Sequence, residues 1–182
     1  MRIWSECKFR IANFELRIGD GEGLRGNDWR IFSYALGCNQ TGEVKVVIEL
    51  ENAVDRELFR RQYIRQDQVR SARIHALVDS GAVMLVLPQD LVEALGLQEV
   101  GKAIVSYADE RREERPLAGI VTVRVGNRTT SLNCVVGPPC SEPLVGQVVL
   151  ETMDLLVDCT QQKLVPRPES PFLPLLKLKC TA

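Results

Sequence analysis

The chain has 182 residues, 45% hydrophobic and 26% charged, with a net charge of −1. That length suffices for one domain with a real core, and the charge balance leaves no global pull toward nucleic acid or an anionic membrane. No apolar run reaches a membrane span, the six cysteines contain no CxxC pair and His75 is the one histidine, so a zinc site and a Ser-His-Asp triad both lack their residues.

Residues 1–41 differ from the rest. "MRIWSECKFRIANFELRIGD" interleaves charges with apolar residues and has no signal-peptide core. A cytoplasmic protein with free thiols is the expectation. "IGDGEGLRGND" (18–28) lacks the GxxxxGK[ST] pattern, and Asp20, Glu22 and Asp28 would repel phosphate. We read 1–41 as an N-terminal extension in which the apolar residues from Trp4 to Ile18 can form a short strand pair or pack on the domain.

"GEVKVVIELE" (42–51) alternates apolar and polar residues, the pattern of a half-buried strand. Residues 52–73 are dense in arginine, but Asp55, Glu57 and Asp67 are interspersed. A solvated connection with a helical turn is expected there, not a nucleic-acid stripe. "IHALV" (74–78) and "AVMLVLP" (82–88) read as strands, and "PQDLVEALGL" (88–97) as a short helix with Pro88 in its first turn and Gly96 at its end. A strand over 102–109, a turn through 110–116, and strands over 117–125 and 128–136 about Gly126-Asn127 follow. After a loop at 137–143, "LVGQVVLETM" (144–153) begins as a strand and turns helical. "DLLVD" and "KLVP" form a last hairpin; the tail over 166–182 is expected to be extended by its prolines, with "LLKLK" (175–179) as a terminal strand. Many short strands, few helices and no βαβ rhythm predict a mainly β domain, a closed or semi-closed barrel.

One stretch breaks the apolar pattern. In "HALVDSGAVMLVLP" (75–88), Asp79 and Ser80 stand between two apolar runs. Asp-Ser-Gly is a common turn tripeptide, yet an acid between two core strands needs donors, water or a second acid that shares its proton. Two adjacent carboxylates cannot both ionise easily, so one keeps a proton and the other serves as base, a pair suited to activating water. The chain holds one such turn; a two-fold dimer would supply the second acid as Asp79 of another copy.

Several pieces, in order, resemble the retropepsin-like aspartic proteases (clan AA), especially their single-domain prokaryotic members. "ALVDSGA" (76–82) is similar to the signature of that family, "PQDLVEALGL" to the helix that follows it, "VSYADERREE" (105–114) to its flap hairpin and "EPLVGQVVLETMDLLVD" (142–158) to its apolar-apolar-Gly segment and helix. The resemblance implies an acid-protease barrel over 42–165, active as a homodimer on peptide or protein substrates, with no cofactor and no metal. It implies Asp79 as the catalytic group, with Ser80, Gly81 and Ala82 completing the active-site loop. It places Tyr107, Ala108, Asp109 and Glu110 on the flap, and Leu144, Val145 and Gly146 beneath the loop in a psi-shaped crossing. Met84 and Leu85 would line a side-chain pocket. Ser80 stands where threonine is commoner, and Glu110 where relatives carry glycine. The alternative is a peptide-binding module on the same dimeric fold that does not cleave. Nucleic acid and membrane are not expected partners.

Overall fold

The computed structural model of the chain describes residues 14–17, 42–107 and 110–175. Among the described residues, ten strands and three α-helices follow in order: β1 (Phe14–Arg17), β2 (Val44–Asn52), α1 (Ala53–Arg60), β3 (Ser71–Val78), β4 (Val86–Pro88), α2 (Gln89–Ala94), β5 (Gln98–Ser106), β6 (Arg112–Val125), β7 (Arg128–Gly137), β8 (Leu144–Val145), α3 (Gln147–Met153), β9 (Leu155–Asp158) and β10 (Lys163–Pro166).

Strands β3, β2, β6, β7, β4 and β8 are neighbours in that order, and β8 pairs back with β3, so the sheet closes on itself. The expected barrel is present. Its interior is filled by the inward positions of the strands, among them Ile48, Leu50, Ile74, Leu87, Val121, Val123 and Val145, each at most 3% exposed, together with Leu85 just before β4. Leu150, Met153 and Leu155 close one side of this core. Strand β1 adds to β3 in antiparallel register, Phe14 opposite Ile74 and Arg17 opposite Ser71.

The outward face of the sheet is polar for the same period-two reason. Glu49 of β2 lies opposite Arg73 of β3 on one side and Arg124 of β6 on the other. Alternating charge across three strands favours this register over a slipped one.

The charge-dense run after β2 forms the two-turn helix α1, more order than the single helical turn expected of it. Asn52 decides this: its side-chain oxygen caps the helix by accepting from the Val54 and Asp55 amides at 2.9 and 3.2 Å. Its amide donates to the Leu95 carbonyl at 2.9 Å, tying α1 to the end of α2. Most of the run's cations meet acids. Arg56 pairs with Glu51, Arg61 with Glu57, Arg65 with Asp67 and Arg70 with Asp55.

The last described segment, 167–175, folds back as a strap instead of trailing away as an extended tail. Buried Asp154 accepts from Arg167 Nε at 2.6 Å, from the Leu175 amide at 3.1 Å and from the Ser170 hydroxyl. Arg128, 2% exposed, donates to the Ser170 carbonyl. Of the expected terminal strand 175–179, residues 176–179 lie outside the described residues.

Candidate active site

Strand β3 runs apolar to Val78 and stops at Asp79. The stop is built from three backbone bonds. The Asp79 amide donates to the Val145 carbonyl at 3.1 Å, the Ala82 amide returns to the Asp79 carbonyl at 3.2 Å, and the Gln147 amide donates to the Ala82 carbonyl at 2.8 Å. Within this turn the Gly81 amide donates to Asp79 Oδ1 at 2.9 Å, an Asx-type bond that fixes the carboxylate against its own loop.

Leu144 and Val145 form β8, which lies parallel to β3, Leu77 opposite Leu144 and Val78 opposite Val145. On its other side Leu144 pairs with Val86 of β4. One short strand therefore passes between the two arms that leave the Asp79 turn, a psi-shaped crossing of chain. Gly146 is required by the packing here. A Cβ at that position would sit 2.3 Å from the Met84 carbonyl oxygen and 2.7 Å from that of Ala82. Asp79, Ser80, Gly81 and Ala82 are thus brought together with Leu144, Val145 and Gly146.

The surroundings of Asp79 differ from expectation in three ways. The residue is half-buried in the single chain, not enclosed. Ser80 is exposed, and its hydroxyl makes no hydrogen bond among the described residues. Leu85 is fully buried and belongs to the core, so it cannot line an open pocket; Met84 is half-buried. Residues 82–85 are not a strand, since their carbonyls accept from the amides of Gln147, Val148 and Val135 and not from a strand partner in register.

Tyr107 and Glu110 sit on a separate element, the tip of the β5–β6 hairpin. The arms pair from Gln98 opposite Gly119 out to Ser106 opposite Arg112. The hairpin is longer than predicted: Arg112–Pro116, expected to turn, continues β6, and a Lys102–Glu114 ion pair at 2.7 Å ties the arms there. At the tip the Tyr107 hydroxyl donates to Glu113 at 3.1 Å, and Arg111 lies over the Tyr107 ring at 4.7 Å. Glu110 has φ 63°, a left-handed conformation that suits glycine better than glutamate. Ala108 and Asp109 lie outside the described residues.

Other nucleophiles are poorly placed. Cys134 is fully buried, and that burial pushes its thiol up to about 11, where little thiolate forms at neutral pH. Cys140 is disulfide-bonded, contrary to the expectation of free thiols throughout; it sits in the exposed 138–143 loop, where a thiol is open to oxidation. His75 is an exposed strand residue. Two clefts, one over β2, β3 and β6 and one at the root of the β5–β6 hairpin, lie away from Asp79.

Comparison with known proteins bears on this geometry. Residues 66–152, which span the Asp79 turn, the hairpin and β8, match the family described as "gag-polyprotein putative aspartyl protease". Over these residues the chain is similar to the retropepsin-like aspartic proteases. No curated protein matches the chain. Among solved structures, this chain is similar to the retroviral protease-like domain of Ddi1 from Leishmania major, at 17% identity and a TM-score of 0.39 over 58% of this chain and 86% of that one. It is also similar to a retropepsin-like aspartic protease from Rickettsia conorii, at 16% identity and a TM-score of 0.36 over 64% of this chain and 85% of that one.

Sequence reasoning missed the strap pinned at Asp154. The signal it had was an acid, Asp154, directly before the apolar "LLV" and an arginine and a serine in the tail, but nothing local links residues that far apart.

Proposed function

We propose that the protein is a homodimeric aspartic endopeptidase that hydrolyses peptide bonds with water activated between two Asp79 carboxylates. The observation that carries the reading is the Asp79 turn seated over β8, with its carboxylate half-buried and held by the Gly81 amide. A carboxylate at that position in one chain has room for a second beside it, and the pair shares one proton. The unprotonated acid takes a proton from water as the water oxygen bonds to the scissile carbonyl carbon; the protonated acid gives its proton to the carbonyl oxygen. Collapse of the resulting diol breaks the C–N bond; the amine takes a proton from the protonated acid while a diol hydroxyl gives its proton to the other carboxylate, which restores the pair. An extended peptide lies under the β5–β6 hairpins, and Tyr107, Ala108, Asp109 and Glu110 act as the flap.

Subunit mixing tests this reading. With random exchange between equal amounts of parent and Asp79→Asn chains, about a quarter of dimers keep both acids. Activity relative to all-parent protein at the same total concentration then falls to about a quarter. A fall to one half, the simple loss of half the active chains, contradicts a shared site.

A second reading is a peptide-binding module without turnover, favoured by Glu110 in a left-handed conformation at a charged hairpin tip. It predicts peptide affinity with no Asp79-dependent cleavage at any pH.

A further inference from the structure

A cleft of about 250 Å³ opens at the root of the β5–β6 hairpin, away from Asp79. Its floor is apolar, made by Val92 of α2 with Leu97, Ala118 and Val136, all buried. Two exposed carboxylates, Glu93 and Glu99, line it. Glu93 accepts from the Gln89 amide at 2.7 Å. Glu99 makes no ion pair among the described residues; Lys102 feels its charge but bonds to Glu114 at 2.7 Å. Arg115, which also lines the cleft, has its guanidinium on Glu113 at 3.1 Å, while its Nε–H is buried without an acceptor. A donor in that state costs free energy until something accepts from it.

The cleft also sits where the hairpin can bend. The β5–β6 register shifts between Glu99 and Gly101, and the β6–β7 register between Ala118 and Val121. Such bulges kink a strand and increase its twist. On β6, Arg115 and Pro116 precede both shifts and Ala118 lies between them, while Val92 and Val136 come from α2 and β7.

We propose that this cleft binds the amino-terminal residue of a peptide and that filling it braces the hairpin. The apolar side chain takes the floor, the ammonium meets Glu99 and Glu93, and the carbonyl oxygen accepts from Arg115 Nε after a small shift of the arm. An apolar floor with an acidic rim and one idle donor matches that combination; a free carboxylic acid would face two like charges. The binding site stands independently of the protease reading. Its effect on cleavage rests on that reading, because an endopeptidase releases new amino termini.

Leucinamide is the probe, titrated by NMR into full-length Asp79→Asn protein, so that binding is read without turnover. Saturable binding in the millimolar range is expected for so small a ligand. N-acetyl-leucinamide, which keeps the body and lacks the charge, should bind about tenfold more weakly, as should leucinamide to an additional Glu99→Gln variant. Glu114→Gln, on the same hairpin but outside the cleft, should bind like the parent. Saturation should slow amide exchange over 98–106. Equal affinity for the two ligands, full affinity in Glu99→Gln, or no saturable binding overturns the proposal. The acetylated ligand keeps the test decisive even if a variant folds poorly.

Discussion

At Gly146 one missing side chain decides whether the Asp79 turn can form. A methyl group there would meet two carbonyl oxygens at 2.3 and 2.7 Å, and backbone on both sides has little freedom to retreat. We expect Gly146→Ala to destabilise the fold by about 2–3 kcal/mol, read as a lower urea midpoint, and to reduce any cleavage further by moving β8 away from Asp79. An unchanged midpoint would mean the crossing is looser than described. Asp79 was legible in the sequence because its surroundings were wrong for an acid: apolar residues on both sides of a three-residue turn. Its partners were not legible by the same logic. Val145 and Gln147 reach the turn through backbone bonds, which carry no side-chain signature, so only the resemblance pointed to residues 144–146. Glu110 shows the opposite case, a departure visible in the sequence whose meaning is conformational: glutamate at φ 63°. Glu110→Gly should stabilise the hairpin tip by about 1 kcal/mol and slow hydrogen exchange at residues 106–112; a destabilised tip would show that the glutamate side chain is what holds it.

At the scale of elements, period-two patterning located β2, which buries one face in the barrel and wets the other, and the Gly126-Asn127 turn between apolar runs located β6 and β7. It failed where tertiary bonds replace strand pairing. The predicted strand over 82–88 shrinks to Val86–Pro88, since 82–85 gives its carbonyls to 135 and 147–148. Helix α1 was underestimated because its stability comes from the Asn52 cap and from the Asp55–Arg70 pair, not from an apolar stripe. The outer charge ladder offers a clean test of register. Glu49→Lys places like charges opposite Arg73 and Arg124 and should cost about 1–2 kcal/mol in a denaturant titration at low salt, an effect that shrinks as salt is added. Salt-independent destabilisation would locate the cost in packing instead.

For the whole molecule, acidity matters because the proposed chemistry uses carboxyl groups. Burial pushes the Asp55 carboxyl up, but the hydrogen bonds and charge of Arg70 outweigh it and hold it below its ordinary value. The Ser170 hydroxyl, the Leu175 amide and Arg167, against some burial, hold Asp154 below its ordinary value too. Both carboxylates are therefore more acidic folded than unfolded. Their stabilisation is complete above the ordinary carboxylate range near pH 4 and is lost as pH falls through the lower folded values. Stability should be flat from about pH 5 to 7 and decline below about pH 4, with the strap over 167–175 exchanging its amides first; a decline that begins near pH 6 would assign it to other groups. On the proposed reading the Asp79 turn works as one half of a site, and its half-buried carboxylate takes its partner from a second copy of the chain. The most direct measurement is cleavage of a mixed peptide library, read by mass spectrometry from pH 4 to 8, with parent and Asp79→Asn protein side by side. Cuts at defined sites made by the parent and absent from Asp79→Asn are the expected result; cuts that survive the substitution, or none from a protein shown to be dimeric, would contradict it.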